Sequence, residues 1–145
     1  MSFDVFLIPS SETPDEPVFQ SRASAACEGI GATWLDDGVR FANGGSVEVY
    51  GGDEGGVMFA LRAFAPAIVE LIYAVADATS CFIMWEGDMH RTPGNEGALP
   101  GGNDVPFELV SSWQELGERI APDFGDWSSF AAEARAMINP PGSET

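Results

Sequence analysis

Residues 64–85 constrain this chain more than any other stretch. Ile68, Leu71, Ile72, Val75 and Ala76 recur at spacings of three and four, which lays one apolar stripe along a helix. Glu70, Tyr73 and Asp77 fall on the opposite side. Pro66 suits the first turn, where its missing N–H costs nothing. Thr79 and Ser80 break the pattern, and residues 81–85 then read as a short buried strand. An apolar helix that feeds straight into an apolar strand predicts a helix lying across a sheet.

The rest of the chain supplies that sheet. Residues 3–8 are rich in β-formers and stop at Pro9, and a strand this early is expected inside the sheet, paired on both sides. Residues 10–17 form an acidic loop carrying Glu12, Asp15 and Glu16. A helix is predicted over 18–29, with Ala23, Ala26, Cys27 and Ile30 as a narrow apolar face and Gly29 or Gly31 as its stop. Strands are predicted over 32–35, 39–42, 46–50 and 57–61 or 62, separated by glycine turns, as in an antiparallel meander. Gly38 is read as supplying a positive φ in the first of those turns. In the third strand Val47 and Val49 share one side, and Glu48 and Tyr50 the other.

After Trp85 the texture changes. Residues 86–106 are dense in Gly and Pro and read as one long loop with no packed element. A short edge strand follows at 107–110. Ser111 is read as the cap of a helix with Trp113, Leu116 and Ile120 as its stripe, acids in its first turns, Arg119 near its end and Pro122 as its stop. A last helix starts at Asp126 or Ser128, with Trp127, Phe130, Ala131, Ala134 and Ile138 apolar, before a loose tail over 139–145.

These elements predict a single α+β domain over 1–145: an antiparallel or mixed sheet of about five strands, helices packed on one face, a split βαβ-like core and a C-terminal helix pair. The length suits one domain with a real core. No apolar run is long enough to span a membrane, and the N-terminus lacks the basic start and apolar core of a signal peptide. A cytoplasmic protein is expected. Cys27 and Cys81 are too few for a disulfide framework or a zinc site, and read as small buried hydrophobes.

Charge is the strongest global signal. The formal net charge is −17, with 23 acidic residues against six basic ones, all Arg. Such a chain is repelled by nucleic acid and by anionic membranes, so neither is expected as a partner. The acids either keep the protein soluble or meet a basic protein. Asp36, Asp37, Asp53, Glu54, Glu86 and Asp88 all lie in turns or loops, where one end of a sheet can gather them. Tyr50, Trp85 and Trp113 are either core or exposed anchors beside them.

No catalytic motif is present, and no cofactor is expected. The Gly pairs lack the spacing and the Lys of a phosphate loop, and no Ser sits in a nucleophile elbow. Neither Cys has a basic neighbour to lower its pKa. The one chemical constellation is Glu86, Asp88 and His90, which point the same way if the strand before them continues. Two carboxylates and an imidazole suit a metal, or a base with its orienting acid. The alternative is a polar loop at a strand end.

Met1-Ser2-Phe3-Asp4-Val5-Phe6, the strand over 44–50 and the later helix-to-strand segment together resemble a loose group of small bacterial proteins. These start Met-Ser-(Phe/Tyr)-Asp and carry a Gly-Gly-Ser-x-(Asp/Glu)-hydrophobic-Tyr strand. Some are similar to immunity proteins of contact-dependent or secreted toxin systems. The resemblance covers half the chain and carries over no catalytic residue; together with the net charge of −17 and the lack of a catalytic motif it points to a non-enzymatic protein-binding protein, an immunity-type inhibitor of a basic toxin. The alternatives are a small metal-binding or hydrolase-like protein built on Glu86, Asp88 and His90, and a homodimeric interaction subunit. Monomer and homodimer are both open.

Overall fold

The computed structural model describes residues 3–42, 44–51, 56–61, 65–85, 88–98 and 107–124. Among these the chain runs β1 (Phe3–Pro9), α1 (Glu16–Gly29), β2 (Ala32–Trp34), β3 (Gly38–Phe41), β4 (Ser46–Gly51) and β5 (Val57–Leu61). It continues through α2 (Pro66–Thr79), β6 (Cys81–Trp85), β7 (Asp88–Arg91), β8 (Phe107–Leu109) and α3 (Trp113–Phe124). The strands form one sheet in the order β2-β3-β4-β5-β1-β6-β7-β8. Every pair is antiparallel except β7–β8. The protein is therefore α+β, with a mixed sheet of eight described strands where about five were expected.

β1 sits inside the sheet, between β5 and β6. Those two strands run parallel to each other on either side of it, joined by α2, which is the split βαβ arrangement the element order implied. Alternation then divides the strands. Val5, Leu7, Phe59, Leu61, Ile83 and Trp85 join the core under the helices, each at most 1% exposed. Ile68, Val69, Leu71, Ile72, Val75 and Ala76 of α2 pack onto them. Burying each such Val, Leu or Ile side chain is worth about 1.5–3 kcal/mol, so the packing of α2 on the three central strands is a large stabilising contribution. On the other side of the sheet Phe82 and Met89 are buried too, apart from that cluster.

Pro66 occupies the first turn of α2, as expected. At its other end Ser80 takes the left-handed conformation (φ 56°), which reverses the chain into β6. Its carbonyl accepts from Ser10 Oγ (2.6 Å) and Thr13 Oγ1 (2.8 Å), and its hydroxyl donates to Gly94 (3.2 Å). These bonds offset the strain of a non-glycine residue there. α1 starts at Glu16, two residues ahead of the expected start, because Pro17 fits the first turn. It buries only Phe19, Ala23 and Cys27. Trp34 ties β2 to it by donating to Gln20 Oε1 (2.6 Å), and meets Phe59 edge-on with ring centroids 6.4 Å apart.

Further expectations are corrected. The 86–106 stretch is not without a packed element: residues 88–91 form β7, in register with β6 through Ile83–His90 and Met84–Met89. The ladder to β6 stabilises four residues whose Gly- and Pro-rich surroundings hide them. Residues 92–98 are tied down as well, by Gly94 N–H to Asp77 Oδ1 (2.7 Å) and Ser11 N–H to the Ala98 carbonyl (2.8 Å). Secondly, the cap of α3 is Ser112, one residue later than expected; its Oγ accepts from Glu115 N–H (3.2 Å). The helix also runs past Pro122 to Phe124. Thirdly, Gly38 has no positive φ. It is required because a Cβ there would lie 2.5 Å from the Val47 carbonyl of β4. The expected helix from 126 or 128 and the tail over 139–145 lie outside the described residues. No helix among the described residues is long and apolar enough to cross a membrane.

Candidate protein-binding surface

Strand direction decides where the loop acids go. β1, β2, β4, β7 and β8 run one way, and β3, β5 and β6 the other. One end of the sheet, here the upper end, therefore collects the segment after β1, the β2–β3 turn, the end of α2 and the segment after β7. Glu12, Asp15, Glu16, Asp36, Asp37 and Glu96 all lie there and are all exposed. Asp77 joins them half-buried, its carboxylate holding Gly94. These acids are spread along the upper end from the β2–β3 turn to the segment after β7, outnumber Arg91 at the end of β7, and give that end a net negative field.

Of the residues singled out in the sequence, Asp36 and Asp37 lie in this group. Tyr50 stands next to the end of β4 at the same end, 51% exposed. Its hydroxyl donates to the Glu48 carboxylate two residues earlier, on the sheet side away from the core. Trp85 is core at 1% exposed, and Trp113 is half-buried against the core. Asp88 begins β7 at the lower end, so the structure does not bring it to Asp36 and Asp37. Asp53, Glu54 and Glu86 lie outside the described residues.

The His90 region is built differently. β7 turns back along β6, so Asp88 and His90 share a face two positions apart without continuing the β6 strand. Asp88 is exposed, whereas His90 is 5% exposed and stacks flat on Trp85, with ring centroids 4.1 Å apart and planes 9° from parallel. Burial lowers the imidazole pKa from its ordinary 6.5, and Arg119 of α3 lowers it further. Asp88 and the backbone of Ile83 and Asp88 pull the other way, more weakly. Arg119 grips Glu108 of β8 and, at 3.1 Å, Glu115 of its own helix. Among the described residues no three His, Cys, Asp or Glu side chains are grouped to hold a metal ion. The Trp85–His90 stack and the Arg119 grip had no sequence signal beyond strand alternation and an i,i+4 charge pair.

The thiols are chemically quiet. Burial, and secondarily Glu28, pushes Cys27 up to about 11. Burial also raises Cys81, against weaker opposing hydrogen bonds from Thr79 and Thr13. Neither is a thiolate at neutral pH, so neither is an activated nucleophile. A scan against models of protein families matches none of them, and neither curated proteins nor solved structures yield a match to this chain.

Proposed function

We propose that this chain is a non-enzymatic cytoplasmic protein whose acidic upper end docks a basic protein, as an immunity-type inhibitor docks a toxin and neutralises it. The gathering of Glu12, Asp15, Glu16, Asp36, Asp37 and Glu96 at one end of the sheet carries this reading. The net charge of −17 supports it. Such a surface steers a basic partner and accelerates encounter, and salt screens the effect. Tyr50, exposed at the same end, is the aromatic anchor for the contact.

The test is affinity capture from the host at low and high salt, followed by assay of the captured protein's toxicity with and without this chain. The reading expects one basic protein, released by salt and inactivated by the chain. A variant with all six acids changed to Asn or Gln should keep its circular dichroism and lose capture. Undiminished capture by that variant, or retention unaffected by salt, would sink the proposal.

A further inference from the structure

The margin of the sheet beside β7, β8 and α3 holds a buried imidazole in a setting that disfavours its charged form. The His90 ring lies flat on Trp85, and its Nδ1 is buried with no hydrogen-bond partner among the described residues. The charged groups around it are Asp88 on its own strand, Arg119 from α3, and the carboxylates of Glu108 (β8) and Glu115 (α3) that Arg119 grips. β6 presents Ile83 and Trp85, which carry no charge. Arg119 is therefore both the neighbour of the imidazole and the clasp that joins α3 to β8. Its own Nε is also buried without a partner among the described residues.

We propose that His90 is a proton-operated latch on α3: a proton taken up by its ring in mildly acidic solution loosens α3 from the β7–β8 margin. The added charge sits on a ring only 5% exposed, opposite Glu108 in the β7–β8 register, and Glu108 is the residue that Arg119 grips. The Trp85 face, the Asp88 carboxylate and the backbone of Ile83 and Asp88 favour the charged ring. Burial and Arg119 oppose it and prevail, as the direction of its pKa shift indicates. The repulsion between the two cations is relieved when Arg119 swings to solvent, and that movement releases Glu108. The inference stands apart from the acidic docking surface.

His90 is the single histidine of the chain, so its ring protons are assigned by NMR without ambiguity. The titration midpoint of the intact chain is expected below 6.5. Between about pH 7 and 5, amide-exchange protection of α3, corrected for intrinsic rates, should fall by up to about tenfold per pH unit below 6.5, while that of α2 holds. His90→Phe keeps a ring against Trp85 and removes the proton site, so its α3 protection should stay flat over the same range. Arg119→Gln should raise the imidazole midpoint. A midpoint at or above 6.5, or α3 protection that follows pH equally in the intact chain and His90→Phe, would overturn the latch. If His90→Phe does not fold, the Arg119→Gln titration decides alone, and an unmoved midpoint overturns the proposal.

Discussion

The centre of the sheet and its β7–β8 margin are built on opposite principles. In the centre, β1, β5, β6 and α2 bury aliphatic and aromatic side chains to within a few per cent of complete exclusion from water. At the margin the buried groups include His90, Thr92 and Asn95. The buried side-chain atoms without a hydrogen-bond partner among the described residues are His90 Nδ1, Thr92 Oγ1, Asn95 Nδ2 and Arg119 Nε. All four belong to the margin or the segment that follows β7. Apolar burial carries no titrating group, whereas an unsatisfied buried polar group costs free energy that a proton or a substitution readily changes. The difference predicts a rigid centre and a margin whose hold depends on solution conditions.

The largest effect should come from emptying the centre. Ile72→Ala, at a position 0% exposed, is expected to cost about 2–5 kcal/mol in urea unfolding. A cost under about 1 kcal/mol would erase the contrast between the regions. Gly38→Ala should come next, losing more than about 1 kcal/mol because its Cβ meets the Val47 carbonyl across the β3–β4 ladder. Acid should then act on the margin. Below pH 6.5 the unfolded chain takes a proton on His90 that the folded chain resists, so stability is full above that pH and declines as pH falls, until the folded ring itself titrates. The decline is up to about 1.4 kcal/mol per pH unit, and His90→Phe should lack it, as urea midpoints at several pH values would reveal. Thr92→Val removes an unpartnered buried hydroxyl and should leave stability unchanged or raise it by about 1 kcal/mol; a clear loss in the same assay would mean the hydroxyl is satisfied. The smallest effect belongs to the acidic end. Asp36→Asn with Asp37→Asn, both exposed, should shift thermal stability by no more than about 0.5 kcal/mol while weakening salt-dependent association.

Legibility in the sequence followed the same division. Long periodic elements were plain: the α2 stripe, the strand at 81–85 and the alternation of Val47 and Val49 against Glu48 and Tyr50 all stand as the spacing predicts. β7 was hidden, because Asp88-Met89-His90-Arg91 has no pattern of its own and becomes a strand only on the edge of β6. Gly38 was legible as a glycine position for the wrong reason, since the demand comes from the neighbouring strand and not from the local turn. Of the candidate surface, the exposure of Asp36 and Asp37 could be read from composition and turns. Their company with Glu12, Asp15, Glu16 and Glu96, and their separation from Asp88, could not.

What the sequence by itself determined is the set of elements with strong local periodicity, the α+β class and the large negative charge. Each depends on residues a few positions apart, or on a simple sum. The tertiary structure alone decided strand order, the lower-end position of Asp88, the stack of His90 on Trp85 and the clasp of Arg119 on Glu108. Each of these joins residues on different elements, and their approach is set by packing apolar faces together, which no local pattern encodes.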